Sequence, residues 1–245
     1  TPFGLTYKLD GLAISLTYSF GRLIGAATRG DGMKGESVLA QVLSVPTIPK
    51  QLGNGHIGIL LPKLVVHGEL FVKKSDFSAY VNSAHCPIGK EPKSPRTLAG
   101  TIRSTSSKLR GVTFTFNPHY VALVKLNLDD PSDSGLDQTA FTDAAEQLEE
   151  IFSPSLLQRL SVLKSFGFSV IPPIAVFADG IDSHQVESIM DRLDSQRHKD
   201  EFDLPIDGVV IHVDNYELIE VLSHTARIPR WAIAYKFPAL SATTT

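Results

Sequence analysis

The sequence has a single cysteine, no long apolar run and no excess of basic residues. Because Cys86 stands alone, no disulfide can form within the chain and no zinc site can be built from several cysteines. The longest apolar stretches, such as residues 57–61, are far too short to span a bilayer. With 23 Lys and Arg against 26 Asp and Glu, the formal net charge is −3. The composition therefore does not indicate a protein that binds nucleic acid through a generally basic surface.

The chain does have what a folded domain requires, because 245 residues with 42% hydrophobic content can bury a sizeable core. Alternating apolar and β-branched residues predict strands at 6–9, 12–19, 23–29, 64–72, within 111–126, and at 169–177, 206–213 and 231–237. Helical spacing predicts helices at 36–43, 75–84 with Ser75 as N-cap, 96–107, 140–166 interrupted at Pro154, and 183–197. Connectors are expected at 46–62, with a brief strand, and at 129–138. The pattern favours an α+β fold with antiparallel, hairpin-type strands.

One lysine lies where it could act as a nucleophile. Lys8-Leu9-Asp10-Gly11 places an amine at a strand end beside a tight turn, and a lysine becomes nucleophilic where burial or neighbouring positive charge lowers its pKa. The motif alone is equally compatible with a surface lysine before a hairpin turn, so it needs support from other segments.

Four further segments carry residues suited to binding a nucleotide. Arg29-Gly30-Asp31-Gly32 could present backbone N–H groups and a guanidinium to an anion, or be an exposed loop. Glu69 lies within an apolar strand, where a carboxylate needs a partner or a cavity, unless it faces water at a sheet edge. Asp207 opens another apolar strand, and Lys236 lies within a third, where an anionic phosphate would be a natural partner. A turn and a solvent-facing lysine are the alternatives for these last two.

In order and approximate spacing, these segments resemble the nucleotidyltransferase motifs of NAD-dependent DNA ligases. The resemblance runs from 6 to 239, and the block Trp-Ala-Ile-Ala-Tyr-Lys-Phe-Pro-Ala at 231–239 is highly specific to that family. It implies a nucleotidyltransferase (ATP-grasp-like DNA ligase/capping enzyme) core, with antiparallel sheets flanked by helices and an AMP groove between them. We expect an adenylation domain at 1–240, excised from a longer chain, and a polar tail at 241–245 leading to an absent OB-fold.

The resemblance implies a lysyl-AMP mechanism. In this family the lysine of Lys-x-Asp-Gly attacks the adenylyl phosphorus of NAD and expels nicotinamide mononucleotide. The AMP then passes to a DNA 5′-phosphate, and the 3′-hydroxyl closes the nick; such phosphoryl transfer depends on positioning and charge neutralisation. Lys8 corresponds to the nucleophile, and Asp10 to a residue that sets its loop. Asp207 would orient Lys8 or a Mg²⁺ ion, and Lys236 would neutralise charge on the α-phosphate.

The resemblance also implies which residues bind the nucleotide. Arg29 would hold the ribose or phosphate side, Glu69 the ribose, and Val210 with the Leu9 backbone the adenine. The expected cofactor-binding set is Thr6, Leu9, Arg29, Glu69, Val210, His212 and Lys236. Arg96 and Arg103 belong to a segment similar to one whose arginines meet nucleotide phosphate or DNA, although the segment is one residue shorter here.

Two positions depart from the family pattern. Thr6 stands where a glutamate usually reads the adenine amino group, and His212 stands where the strand usually carries a second phosphate-binding lysine. Threonine brings no charge, and imidazole is mostly neutral at pH 7. A working ligase domain is the favoured interpretation. A non-catalytic nucleotide-binding paralogue and an ATP-dependent nucleotidyltransferase are the alternatives, and the block at 231–239 argues against the latter.

The resemblance implies NAD and Mg²⁺ as cofactors, with no metal ligands assigned to protein side chains. The expected partner is nicked double-stranded DNA, bound mainly by domains missing from this chain. We further expect a monomer without membrane contact, located inside the cell and, in a bacterium, in the cytoplasm with the nucleoid.

Overall fold

Two four-stranded antiparallel sheets form the frame of the fold. This computed structural model describes residues 1–30, 35–53, 63–104, 109–123, 155–222 and 229–238. The first sheet has the order β6-β1-β7-β8, with β1 Phe3–Leu9, β6 Ala175–Phe177, β7 Ile206–Val213 and β8 Ala232–Lys236. The second has the order β3-β2-β4-β5, with β2 Leu12–Ser19, β3 Arg22–Thr28, β4 Leu64–Phe71 and β5 Thr115–Leu123. This architecture confirms the predicted α+β class.

Short helices connect and cover the strands. They are α1 Leu39–Val42, α2 Lys74–Val81, α3 Pro95–Ala99 with a 3₁₀ turn at Gly100–Arg103, α4 Leu156–Ser165, α5 Ser183–Gln196 and α6 Tyr216–Leu222. The prediction of α5 is confirmed because its start is locally encoded: Asp182 and Gln185 form a capping box. Helix α6 was not among the predicted elements. Within the described ranges, no helix is long and apolar enough to cross a membrane.

Each sheet buries one face in its own apolar core. In β2, alternate residues Ile14, Leu16 and Tyr18 are fully or almost fully buried, as expected for a strand with one face inward. The sheet containing β1 packs against α5 through Val209 and Met190, among others, to form a smaller core. Polar side chains from both sheets line a common cavity.

Three local predictions were wrong. The strand predicted at 169–177 is confined to β6, because Pro172 and Pro173 have no N–H to donate to a ladder. Residues 36–38 bond to β3 in an extended conformation, so the helix predicted from residue 36 begins only at Leu39.

Ser75 is not the N-cap of its helix. Lys73 occupies that position without a side-chain cap. Ser75 instead donates its backbone N–H and its hydroxyl to the carboxylate of Asp203, at 2.8 and 2.9 Å. A distant carboxylate therefore serves the start of α2, which no local sequence pattern could indicate.

The remaining predictions are described only in part. The helix predicted at 96–107 is present as α3 and the 3₁₀ turn through Arg103. The strand within 111–126 is observed as β5 and the second half of the 140–166 helix as α4. At 46–53 an isolated bridge joins Gln51 to Arg22. Residues 31–34, 54–62, 105–108, 124–154 and 239–245, with the connector at 129–138 and the polar tail, lie outside the described residues.

Candidate active site

Lys8 lies near the end of β1 with its amine held by a carboxylate of the neighbouring strand. Its Nζ donates to Oδ1 and Oδ2 of Asp207 at 2.7 and 2.9 Å. Both side chains are 26% exposed, so the pair is partly shielded yet open to a ligand. The register places Lys8 opposite Gly208, and the ladder is irregular between Lys8 and Leu9.

A second lysine approaches the same carboxylate from β8. Lys236 lies opposite Gly208, and its Nζ is 3.7 Å from Oδ2 of Asp207. Glycine is required at 208 because a Cβ there would lie 2.1 Å from the carbonyl oxygen of Tyr235. The Asp-Gly pair thus allows β8 to come close enough to bring Lys236 beside Lys8. Lys236 is 65% exposed and can reorient toward an anion.

Glu69 faces this group from the second sheet. It lies on β4 opposite Ala13 and Asn117. Burial raises its pKa to about 7, against the opposing effects of the positive charges of Lys8 and Arg96. Its carboxyl group is therefore distributed between protonated and ionised forms at neutral pH, and can donate or accept a hydrogen bond.

A cavity of about 360 Å³ lies between the two sheets. Of the expected nucleotide-binding set, six residues line it together with Lys8: Thr6, Leu9, Arg29, Glu69, Val210 and His212. Lys236 is absent from the lining and lies beside Asp207 instead. The mixed polar and apolar lining and the size of the cavity are typical of a small-molecule site.

Other predicted residues lie around the cavity rather than in its lining. Asp10 accepts from Arg96 Nη1 at 3.2 Å, and Arg103 Nε lies 3.7 Å from Oε2 of Glu36. Both arginines are mostly exposed. Gly11 lets β2 approach β4, because a Cβ at this position would meet the carbonyl oxygen of Leu70 at 2.3 Å.

His212 is neutral rather than a weak substitute for a lysine. The residue is only 8% exposed. Burial lowers the pKa of its imidazole, and the positive charge of Arg159 lowers it further, whereas the negative charge of Asp214 acts to raise it. The strand position where the family pattern has a cation therefore contributes none at neutral pH.

Sequence reasoning missed the contribution of β5 and α4 to the cavity. From β5 come Asn117, His119 and Tyr120, and from α4 comes Arg159. The centroid of the Tyr120 ring lies 5.8 Å from that of His67 and 5.9 Å from that of Trp231. The only available signal was the alternation of polar residues along β5.

Metal ligands are scarce in the part of the chain that the structure describes. It contains no group of three or more His, Cys, Asp or Glu side chains that could hold a metal ion. Asp207 is already engaged by Lys8. A Mg²⁺ ion accompanying a nucleotide would fit here only with phosphate and water oxygens as most of its ligands, which is how this ion is commonly bound.

Comparison with known proteins identifies the family. The family model described as NAD-dependent DNA ligase adenylation domain matches residues 2–240. Similar curated proteins include a DNA ligase of Halalkalibacterium halodurans, 37% identical over 97% of this chain and 31% of that protein. A DNA ligase of Colwellia psychrerythraea is 36% identical over 95% of this chain and 32% of its own length.

This chain spans about a third of the length of the curated relatives that it matches. The family match, in contrast, covers nearly all of its residues. The chain therefore belongs to the family of NAD-dependent DNA ligase adenylation domains.

Proposed function

We propose that this chain forms lysyl-AMP from NAD and serves as the adenylation domain of a DNA ligase. The observation that carries the proposal is that the amines of Lys8 and Lys236 both lie within 3.7 Å of the Asp207 carboxylate, and that Lys8 lines the cavity. A nucleophilic amine, a carboxylate and a second cation are what transfer of an adenylyl group to lysine requires.

In the first step, the Lys8 amine attacks the adenylyl phosphorus of NAD. A phosphorus–nitrogen bond forms, the pyrophosphate P–O bond breaks, and nicotinamide mononucleotide leaves with the electron pair. The amine must lose a proton to attack, and Asp207, 2.7 Å away, is positioned to orient it and to receive that proton. Lys236 neutralises charge on the phosphate as the leaving group departs.

The cavity would hold the rest of the nucleotide. Glu69 hydrogen-bonds the ribose, and Arg29 holds the ribose or phosphate side. Val210 and the Leu9 backbone enclose the base, whose amino group donates to the Thr6 hydroxyl. All five residues line the cavity, which supports this assignment. Any Mg²⁺ that accompanies the substrate would supply further neutralisation of phosphate charge.

The later steps concern DNA. The 5′-phosphate of a nick attacks the phosphorus of lysyl-AMP, which frees Lys8 and forms an AMP–DNA pyrophosphate; the 3′-hydroxyl then displaces AMP and seals the strand. Asp10 sets the loop that follows Lys8, and exposed Arg96 and Arg103 contact phosphates. Nicked double-stranded DNA is thus the proposed partner of the whole protein, which we expect to act as a monomer inside the cell.

The test is transfer of label from NAD. We would incubate the full-length protein with Mg²⁺ and NAD labelled in its adenylate, denature it, and locate the label by peptide mass spectrometry. Label on Lys8, lost in Lys8→Ala, is the expected result. Absence of label on the wild type, or equal labelling of Lys8→Ala, would overturn the proposal.

A non-catalytic nucleotide-binding domain is the second candidate. It is motivated by Thr6 and His212, which leave the cavity without two charges of the family pattern. This candidate predicts AMP or NAD binding with no label on Lys8, so the same experiment separates the two.

A further inference from the structure

We call the part of the cavity that Thr6 and His212 line, beyond Lys8 along β1 and β7, its distal end. The antiparallel register pairs Lys8 with Gly208, Thr6 with Val210 and Gly4 with His212. Four residue steps along β1 lead from Lys8 to the Gly4–His212 pair, a distance of roughly 13 Å. Under the proposed function, in which Thr6 accepts from the adenine amino group, a nucleotide with its phosphorus at Lys8 has its base directed toward Thr6 and His212.

The strand offers no positive charge at this distal end. His212 is buried against Gly4 and Leu156, since a Cβ added to Gly4 would lie 2.7 Å from its Cε1 atom and 2.8 Å from Cδ2 of Leu156. The charged groups that act on the His212 ring are Arg159 and Asp214. A buried neutral imidazole can hydrogen-bond a ligand but cannot attract it by charge.

A positive charge reaches the same end from a helix. Arg159 of α4 lines the cavity, and its Nη2 donates to Oδ1 of Asp214 at 2.9 Å. The two side chains are 16% and 2% exposed. Asp214 also accepts from the backbone N–H of Leu156 and donates its own N–H to the carbonyl of Pro2. Asp214 thus fixes the guanidinium in place, and Asp214 is itself held by the backbone of Leu156 in α4 and of Pro2 before β1.

We propose that Arg159 is a specificity-determining residue that donates a hydrogen bond from α4 to an acceptor atom on the base of the bound adenylate. Guanidinium groups only donate, so the recognised atoms are ring nitrogens of the purine. Asp214 is a positioning residue that acts through Arg159. This inference rests on the proposed function, because that function fixes which end of the nucleotide faces Lys8.

The test compares AMP with ribose 5-phosphate as probes of the full-length protein in a Lys8→Ala background, where no covalent adduct can occupy the site. Removing Arg159 alone would leave the Asp214 carboxylate buried without its counter-charge. The variant therefore combines Arg159→Met with Asp214→Asn. The amide oxygen of the asparagine can still accept the hydrogen bond from the Leu156 N–H. Asp214→Asn alone is the matched control. AMP affinity is measured by calorimetry, and ribose 5-phosphate affinity by ligand-observed NMR.

We expect the double variant to bind AMP about 10- to 100-fold more weakly, the range for a charge-assisted hydrogen bond, with unchanged affinity for ribose 5-phosphate. AMP affinity equal to that of the control, or an equal loss for both probes, would overturn the inference. Because binding is measured without chemistry at Lys8, its failure is distinguishable from the failure of NAD to label Lys8.

Discussion

Lys8 and Asp207 lie 199 positions apart in the sequence, yet Nζ of one contacts both carboxylate oxygens of the other. The contact is fixed by the pairing of β1 with β7. Strand pairing therefore sets the position of the amine, and the carboxylate restricts its orientation.

Substitutions at Lys8 should remove covalent labelling without removing nucleotide binding. Lys8→Ala and Lys8→Arg both lack a primary amine that can form the phosphoramidate, so neither should acquire AMP from NAD. Calorimetry should still detect AMP binding to both, because the remaining cavity lining is intact. Label at another residue of Lys8→Ala would show that the nucleophile has been misassigned.

Loss of Asp207 or of Lys236 should slow adenylylation of Lys8. We expect Asp207→Asn and Lys236→Ala each to lower the single-turnover rate on the order of 100-fold, the usual cost of removing one group that stabilises developing charge. Lys90→Ala, a change at an exposed lysine elsewhere, serves as the control. Rates within threefold of the control would contradict the roles given to Asp207 and Lys236.

Glu69 should make the unliganded protein less stable as pH rises. Its pKa is raised from 4.5 to about 7 in the fold; between these values the unfolded chain has lost the proton that the folded chain keeps, so stability falls with pH. The destabilisation is absent below about pH 4.5 and complete above about pH 7.

Glu69→Gln should remove that dependence. The variant should gain on the order of 3 kcal/mol over the wild type at pH 8 relative to pH 4.5, because a pKa raised from 4.5 to about 7 corresponds to about 1.4 kcal/mol for each pH unit between the two values. Urea denaturation at both pH values measures it. A difference between variant and wild type that is the same at both pH values would refute the burial of an ionisable Glu69.

Gly4→Ala should destabilise the distal end of the cavity. The added methyl would overlap His212 and Leu156 at 2.7 and 2.8 Å, and overpacking of this kind costs about 1–3 kcal/mol. Gly100→Ala is a matched control, because among the described residues no heavy atom outside its own helix lies within 4 Å of its Cβ position, and its φ is −60°. The control should be neutral or stabilising by up to about 1 kcal/mol. Equal effects of the two changes on the free energy of unfolding would contradict the packing described for Gly4.

The sequence indicated the reactive residues because each belongs to a short local pattern. Lys8 and Asp207 each lie close to a glycine at an apolar strand, and Lys236 lies within an apolar block, but these patterns became specific only in combination. Of the six cavity-lining residues in the predicted set, Arg29 and Glu69 belong to such segments, and the other four follow from the family resemblance. Their roles in catalysis and binding stay predictions.

Arg159 and His119 could not be found by such patterns. Arg159 reaches the cavity because α4 is anchored to Asp214, a tertiary contact. The position of His119 depends on an irregularity in the β4–β5 ladder between His67 and Gly68. The length of the strand at 169–177 was overestimated for a local reason. Its apolar content favoured a strand throughout, although its two prolines cannot donate to a ladder.

The division of the site between the sheets has a mechanical consequence. Lys8, Asp207 and Lys236 lie on three adjacent strands of one hydrogen-bonded sheet, whereas Glu69 lies on β4 and Arg29 directly follows β3 in the other. A small hinge or shear movement between the sheets would alter the contacts proposed for the sugar but leave the spacing of Lys8, Asp207 and Lys236 unchanged. Under the proposed function, release of the product and preservation of the reactive geometry would thereby be mechanically separable.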